Sequence, residues 1–372
     1  MNLIRLSKSS VGKEEKAAIS NVIDIGSLGM GSEVNKFEED LKLYLGNNLQ
    51  VVCVNSGTAA LHLAVESIIE PGDEVLVPSI TYVASHQAIS AASGIPISCE
   101  VREDNIFIDT KDAEKRITEK TKAIMPVHFA SDSQDINEVY ELAQKYNLRV
   151  IEDAAHGFSC YRDNKIIGSS GDIICFSFDG IKNITCGEGG AIVTNDERVI
   201  SYCKDSRLLG VEKDTEARFA GKRSWDFEVH NQGWRYHMSN INAAIGIEQL
   251  KKINKFRAMR QYGVNYYLSN LKEVKEINFL NLDYQNITQH VFVLKILNGQ
   301  RDQLISYLKK NNIESGIHYK PNHLLEKFKT NYELQISEKL GDQLISIPLH
   351  AELKDNELSR VVETIKSFFI NA

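Results

Sequence analysis

Apolar residues in this chain alternate between two patterns. Short β-branched or aromatic runs occupy residues 51–54, 74–78, 95–100, 122–127, 148–151, 173–178 and 191–194. Runs of that length and composition predict buried strands. Between several of them the spacing turns helical. Residues from Ala59 onward carry Leu61, Leu63, Ala64 and Ile68, residues 112–120 form a short polar helix, and residues 136–146 form another. Strands that alternate with helices at this spacing predict a largely parallel, doubly wound sheet, in which ligands sit beyond the carboxyl ends of the strands. Asp153 and the turn Asn55-Ser56-Gly57-Thr58 both lie at such ends.

The flanks read differently. Residues 1–49 hold polar helical patterns around a loop marked by Gly26, Gly29 and Gly31, with Ser32 or Glu33 opening a helix that carries Phe37, Leu41, Tyr44 and Leu45 on one face. Residues 204–233 are a polar excursion containing Trp225 and running up to Trp234. Ser239 then reads as the N-cap of a helix through Ile241, Ala244, Ile245 and Leu250. From about residue 255 a new order begins: helix 257–271, strands 277–280 and 290–297, helix 303–311, and a closing helix. That last helix sets Leu358, Val361, Val362, Ile365 and Phe369 on one face behind Asp355. A large domain over residues 1–250 and a smaller α+β domain over 251–372 are expected.

Composition narrows the classes. The 372 residues are 42% hydrophobic and 25% charged, ordinary for a globular protein, and the net charge of -7 argues against a general nucleic-acid binder. Cys53, Cys99, Cys160, Cys175, Cys186 and Cys203 form no C-x-x-C pair, and most lie in apolar runs. They read as buried, reduced thiols of a cytoplasmic protein, with neither a disulfide frame nor a metal site. The opening MNLIRLSKSSVGKEE has no apolar core, and no run approaches about 18 apolar residues, so neither a signal peptide nor a membrane span is expected.

The chemistry concentrates in residues 173–195, IICFSFDGIKNITCGEGGAIVTN. Lys182 stands on a glycine-rich loop between two strand-like runs. A lysine against an apolar wall is desolvated, its pKa falls, and it can serve as a Schiff-base amine. On spacing alone, a solvated loop lysine is the stronger reading. The segment GEGGAI is no dinucleotide fingerprint, since Ile192 replaces the third glycine and a strand comes next instead of a helix. The turn at residues 55–58 would aim free backbone N–H groups and a helix dipole at an anion, although a plain strand-to-helix turn is commoner.

Taken together, NSGTAALHLA, TYVASHQAI, VIEDAAHGF, CFSFDGIKNITCGEGGAIVT and GWRYHMSNINAAIGIEQL, with GIHYKPNH and ISIPLH further on, resemble the sugar aminotransferases of the DegT/DnrJ/EryC1/StrS family. The resemblance runs from about residue 10 to the C-terminus. It implies fold type I of the pyridoxal 5′-phosphate (PLP) enzymes: a large domain with a mixed, mostly parallel sheet between helices, and a smaller C-terminal domain. It also implies roles. Lys182 would hold the cofactor covalently and, once displaced by the amino donor, carry the proton between substrate and cofactor. Asp153 would pair with the ring nitrogen, though an Asp at a strand end can equally cap a helix. His156 would meet the ring's phenolic oxygen or face, and Tyr82 would stack on the ring. The backbone of Gly57, Thr58 and Ala59, with the Ser177 hydroxyl, would hold the 5′-phosphate.

Two positions depart from the family's pattern. Arg235 stands where an Asn usually reaches the phosphate in the neighbouring subunit, and an arginine can still bind phosphate there, as a fork. That role implies a homodimer with shared active sites. Ser131 and Ser133 replace a glycine and a proline after His128, which alters the local loop. The expected reaction is amination of a keto group, at C4 by family frequency, on a dTDP- or UDP-linked 6-deoxy sugar. L-glutamate is the donor, leaving as 2-oxoglutarate through the pyridoxamine form, and the product feeds surface polysaccharide or glycan synthesis. His318, Lys320 and the excursion at 204–232 are candidates for contact with the nucleotide, and each also reads as plain surface. Competing readings are a 3-keto sugar or cyclitol aminotransferase, and a dehydratase of the same family, which Lys182 opposes because that enzyme carries histidine there. A non-catalytic scaffold is opposed by Lys182, Asp153 and Ser177 together.

Overall fold

The computed structural model describes residues 2–46, 49–212 and 227–370. Its strands are β1 (Gln50–Val54), β2 (Glu74–Pro78), β3 (Ile95–Cys99), β4 (Thr121–Ile124), β5 (Arg149–Asp153), the short pair β6 (Tyr161–Arg162) and β7 (Lys165–Ile166), β8 (Ile173–Ser177), β9 (Gly190–Thr194), β10 (Ile277–Phe279), β11 (Phe292–Ile296) and β12 (Leu344–Ile347). Seven of them form one sheet in the order β1-β9-β8-β5-β4-β2-β3. Only β9 runs against its neighbours. It pairs antiparallel with β1 and β8, while β8, β5, β4, β2 and β3 pair in parallel. The carboxyl ends of β1, β2, β4, β5 and β8 therefore share one edge.

The sheet is covered on both faces, as its nearly continuous apolar strands require. One core joins Val52, Val75, Ile151 and Ile192 to the helix Gly57–Glu66. The opposite core joins Phe37, Phe176, Ala191 and Ile247. Ser239 caps the helix Asn240–Lys251 by accepting from the Asn242 N–H, and that helix packs on the helices Lys13–Ile25 and Ser32–Leu45. Ser32 is the first residue of its helix, but the cap position is Gly31, with no side-chain cap.

A three-stranded antiparallel sheet, β10-β11-β12, forms the second layer system, with Phe292, Leu294, Ile345, Leu358 and Val361 in its core. Its third strand, Leu344–Ile347, and the helix Gln335–Gln343 before it escape the sequence pattern. The N-terminal stretch joins this unit too: Ile4 exchanges backbone hydrogen bonds with Asn312 and Glu314 and is buried in the same cluster. Conversely, Leu280, Leu282, Ile287 and Val291 pack into the core of the large sheet, so residues 280–291 return toward the cleft before β11 begins.

All six cysteines are free and buried, and burial pushes each thiol's pKa up, Cys160 to about 12. No helix among the described residues is long and apolar enough to cross a membrane. Residues 213–226, which hold Trp225 and the middle of the expected excursion, lie outside the described residues.

Candidate active site

The shared strand edge opens into a cleft of about 380 Å³. Residues at or just past the strand ends build its floor: Ser56, Gly57 and Thr58 after β1, Thr81 and Tyr82 after β2, Val127 after β4, Asp153, Ala155 and His156 at β5, and Ser177 at the end of β8. Asp179, Lys182 and Glu188 come from the β8–β9 loop, and His290, His318 and Tyr319 from the smaller unit's side.

The helix Gly57–Glu66 points its N-terminus into this cleft. Ser56 caps it, its hydroxyl accepting from the Ala59 N–H at 3.0 Å. The Ala59 amide is thus already occupied, while Gly57 and Thr58 line the open space. Position 57 needs glycine for a steric reason: a Cβ there would meet Ser177 Cβ at 2.7 Å. The helix N-terminus and the Ser177 hydroxyl are consequently brought together, and such a terminus favours an anion.

Asp153 ends β5 and is buried. Its Oδ2 accepts from Ser85 Oγ at 2.7 Å and its Oδ1 from the Ala155 N–H at 3.1 Å. Burial pushes its carboxyl above the usual range, and these two donors with the Lys182 charge only partly pull it back. A buried carboxylate in that condition gains from a cationic partner in the cleft.

Lys182 is part-exposed to the cleft but densely surrounded. Desolvation pulls its pKa down to about 8, against the opposing pull of Asp153 and Asp179, and Arg260 adds to the fall. Its loop is tied at both ends: Phe178 N–H donates to Gly189 O, and Cys186 N–H to Phe178 O, each at 2.8 Å. Asn183 Nδ2 donates to Phe158 O and Thr288 O, each at 2.9 Å.

The ring of His156 lies 4.4 Å from that of His290, and its Nε2 is 3.3 Å from Tyr319 Oη. His156 and His290 are both buried, and desolvation holds both pKa values well below the usual histidine value. Tyr82 is 59% exposed at the cleft, a large aromatic face open to a planar partner, with the Tyr319 ring 5.7 Å away.

Ser131 has φ +79°, a left-handed backbone that favours glycine. Its hydroxyl lies 2.6 Å from His156 O and 3.0 Å from Thr288 O, and accepts from the His290 N–H at 3.0 Å. The serine thus ties the turn after Asp153 to the segment that carries His290.

A buried carboxylate wanting a cation, an aromatic platform, an anion-binding helix end and a desolvated amine share one cleft. These residues fit pyridoxal phosphate in charge and in shape. A scan of the whole chain agrees: the DegT/DnrJ/EryC1/StrS aminotransferase family matches residues 9–366. The chain belongs to that family. Within it, the protein is a pyridoxal-phosphate-dependent sugar aminotransferase of fold type I.

Relatives of this DegT/DnrJ/EryC1/StrS aminotransferase resemble it over nearly their full length. The spore coat polysaccharide biosynthesis protein SpsC of Bacillus subtilis is 30% identical, covering 96% of this chain and 94% of its own. PseC of Helicobacter pylori, an aminotransferase of pseudaminic acid biosynthesis, superposes with a TM-score of 0.91 at 25% identity, covering 100% of both chains. Spr1654 of Streptococcus pneumoniae superposes in its PMP form with a TM-score of 0.91 at 26% identity, covering 99% of this chain and 98% of its own. A PLP form of Spr1654 is also known.

Of the residues singled out in the sequence, Gly57, Thr58, Tyr82, Asp153, His156, Ser177, Lys182 and His318 line the cleft. Lys320 and Arg235 are exposed and do not line it. Arg235 lies on the strand-like segment beside β1, where its carbonyl accepts from Asn55 Nδ2 at 3.3 Å. His290, Tyr319, Ser85, Asp179 and Glu188 join the site without a signal of their own in the sequence. His290 opens an apolar run and reads as the first residue of a strand, whereas Tyr319 sits unremarked inside GIHYKPNH.

Proposed function

We propose that this enzyme aminates a keto group, at C4, of a nucleotide-linked 6-deoxy sugar in the cytoplasm, with L-glutamate as donor. The observation that carries the transaminase chemistry is the Lys182 amine, with a pKa of about 8, lining the same cleft as buried Asp153. The sugar class is supported by what PseC and SpsC are named for, pseudaminic acid and spore coat polysaccharide biosynthesis.

When bound, pyridoxal phosphate supplies an aldehyde carbon that carries nitrogen and a ring that accepts electron density. Lys182 supplies the amine that holds the cofactor and, when free, moves a proton at its Nζ. Asp153, oriented by Ser85 and the Ala155 N–H, keeps the ring nitrogen protonated. Gly57, Thr58 and the helix dipole neutralise the phosphate, joined by the Ser177 hydroxyl. Tyr82 would stack on the ring, and His156 would meet its phenolic oxygen or face. Arg235, exposed on its own chain, suits the phosphate of a neighbouring subunit in a homodimer. His318, whose Nδ1 is 2.8 Å from Ser346 Oγ, lines the cleft and would contact the sugar nucleotide.

The test is a spectral titration. L-glutamate should convert the pyridoxal form to the pyridoxamine form, and one dTDP- or UDP-linked 4-keto-6-deoxy sugar should reverse it. Reversal only by a 3-keto sugar, or only by a cyclitol ketone, would move the substrate to that class. No conversion by glutamate would reject it as donor.

A further inference from the structure

His290 lies outside the roles assigned so far, yet its Nε2 is 3.4 Å from Lys182 Nζ. It is 3% exposed, and its backbone is fixed from two sides: its N–H donates to Ser131 Oγ at 3.0 Å, and its carbonyl accepts from Arg260 Nη1 at 3.3 Å. Its ring packs against His156. Backbone bonds and ring packing together hold it beside the lysine. Its other nitrogen, Nδ1, is buried without a partner. The ring thus has one polar contact, and that contact is the reactive amine.

We propose that neutral His290 is the acceptor that positions the Lys182 amine whenever that amine is not covalently engaged. The role rests on the reading of Lys182 as the cofactor-holding lysine. Donor counting gives its chemistry. A protonated amine has three donors and no acceptor, so Nε2 must present its lone pair and the ring proton must sit on Nδ1. Once the amine loses its proton, one N–H still points at Nε2 and the nitrogen lone pair is left facing the cleft. An imidazolium at this site is disfavoured by burial and by the nearby Lys182 and Arg260 charges, with His156 and His318 adding to the effect. The histidine therefore orients the amine and does not take its proton. The remaining charged groups that act on the amine are Asp153 and Asp179.

The experiment compares wild type, His290→Phe and His290→Gln in two assays. In the first, apoenzyme made from the holoenzyme captures free pyridoxal across a pH series. In the second, the holoenzyme runs the glutamate half-reaction in a single turnover. Removing an acceptor that favours the charged amine should move the inflection of capture from near 8 to lower pH, by about one unit. The plateau should fall and the half-reaction should slow at least about tenfold. Gln, which keeps an acceptor oxygen, should restore the inflection. An unchanged inflection in His290→Phe overturns the assignment, including the case in which only the plateau falls, because that marks a merely structural role. Failure of wild-type apoenzyme to be loaded covalently by pyridoxal phosphate would instead reject the reading of Lys182. Should the Phe variant not fold, 15N-histidine spectra of wild-type apoenzyme decide: a His290 proton on Nδ1 supports the role, and one on Nε2 overturns it.

Discussion

At the scale of single residues, the site works by making ordinary groups expensive to charge. Lys182 has its pKa lowered to about 8. At pH 7 about a tenth of it is neutral, against well under a thousandth for an ordinary lysine. The neutral, nucleophilic form therefore grows as pH rises and saturates above about 8. Covalent loading of apoenzyme with pyridoxal phosphate, read by absorbance, should rise about tenfold per pH unit up to that point and then flatten. A rate that keeps rising about tenfold per unit through about pH 9, as for an ordinary lysine, would remove desolvation as the activating effect. Ser131 makes a second residue-scale case. It keeps a left-handed backbone in exchange for a hydroxyl placed among His156, Thr288 and His290. Ser131→Ala should cost about 1–3 kcal/mol in chemical denaturation, since a buried N–H loses its acceptor. The sequence showed that this position is unusual but not what the hydroxyl does, because its partners lie up to 159 residues away.

At the scale of elements, the decisive arrangement is a strand end facing a helix end. Gly57 lets the helix Gly57–Glu66 approach β8 closely enough for Ser177 to share its N-terminal space. Gly57→Ala should push the two apart and weaken pyridoxal phosphate binding by about tenfold or more, roughly 1.4 kcal/mol, measurable by spectral titration of apoenzyme. Retained affinity would mean that the close approach is not needed. This part of the site was legible in the sequence. A short apolar run, a small-residue turn and a helical run state the geometry locally, and the same logic on β5 gives Asp153. The wall that carries His290 and Tyr319 was not legible, because nothing local distinguishes a histidine that opens a strand from one that faces a cleft. Likewise, β12 is a run of only four residues directly after a nine-residue helix, and at that length a strand and a helical segment are not told apart by pattern.

At the scale of the whole molecule, the expected alternation of strands and helices became the seven-stranded sheet, with β9 alone reversed. The smaller unit is knit to the rest in both directions, through Ile4 into its core and through residues 280–291 out of it. Such crossing came from contacts distant in sequence and could not be read from composition. Arg235 belongs to this scale because it is exposed on its own chain. If it serves a neighbouring site, Lys182→Ala and Arg235→Ala should each be inactive alone. Mixed after dissociation and reassociation, they should recover about a quarter of the sites, since half of random dimers are hybrids with one intact site each. A mixture that stays dead would place Arg235 in its own chain's site, and an Arg235→Ala variant active alone would place it in none.

The six buried thiols have a practical consequence. With burial holding every sulfur protonated at neutral pH, none is a competent nucleophile toward a maleimide. A single Lys309→Cys on the exposed face of the helix Arg301–Lys310 would then be the one addressable handle on an otherwise unmodified enzyme. A fluorophore placed there would report whether the surroundings of that helix change when an amino donor or a sugar is added, without any native cysteine having to be removed.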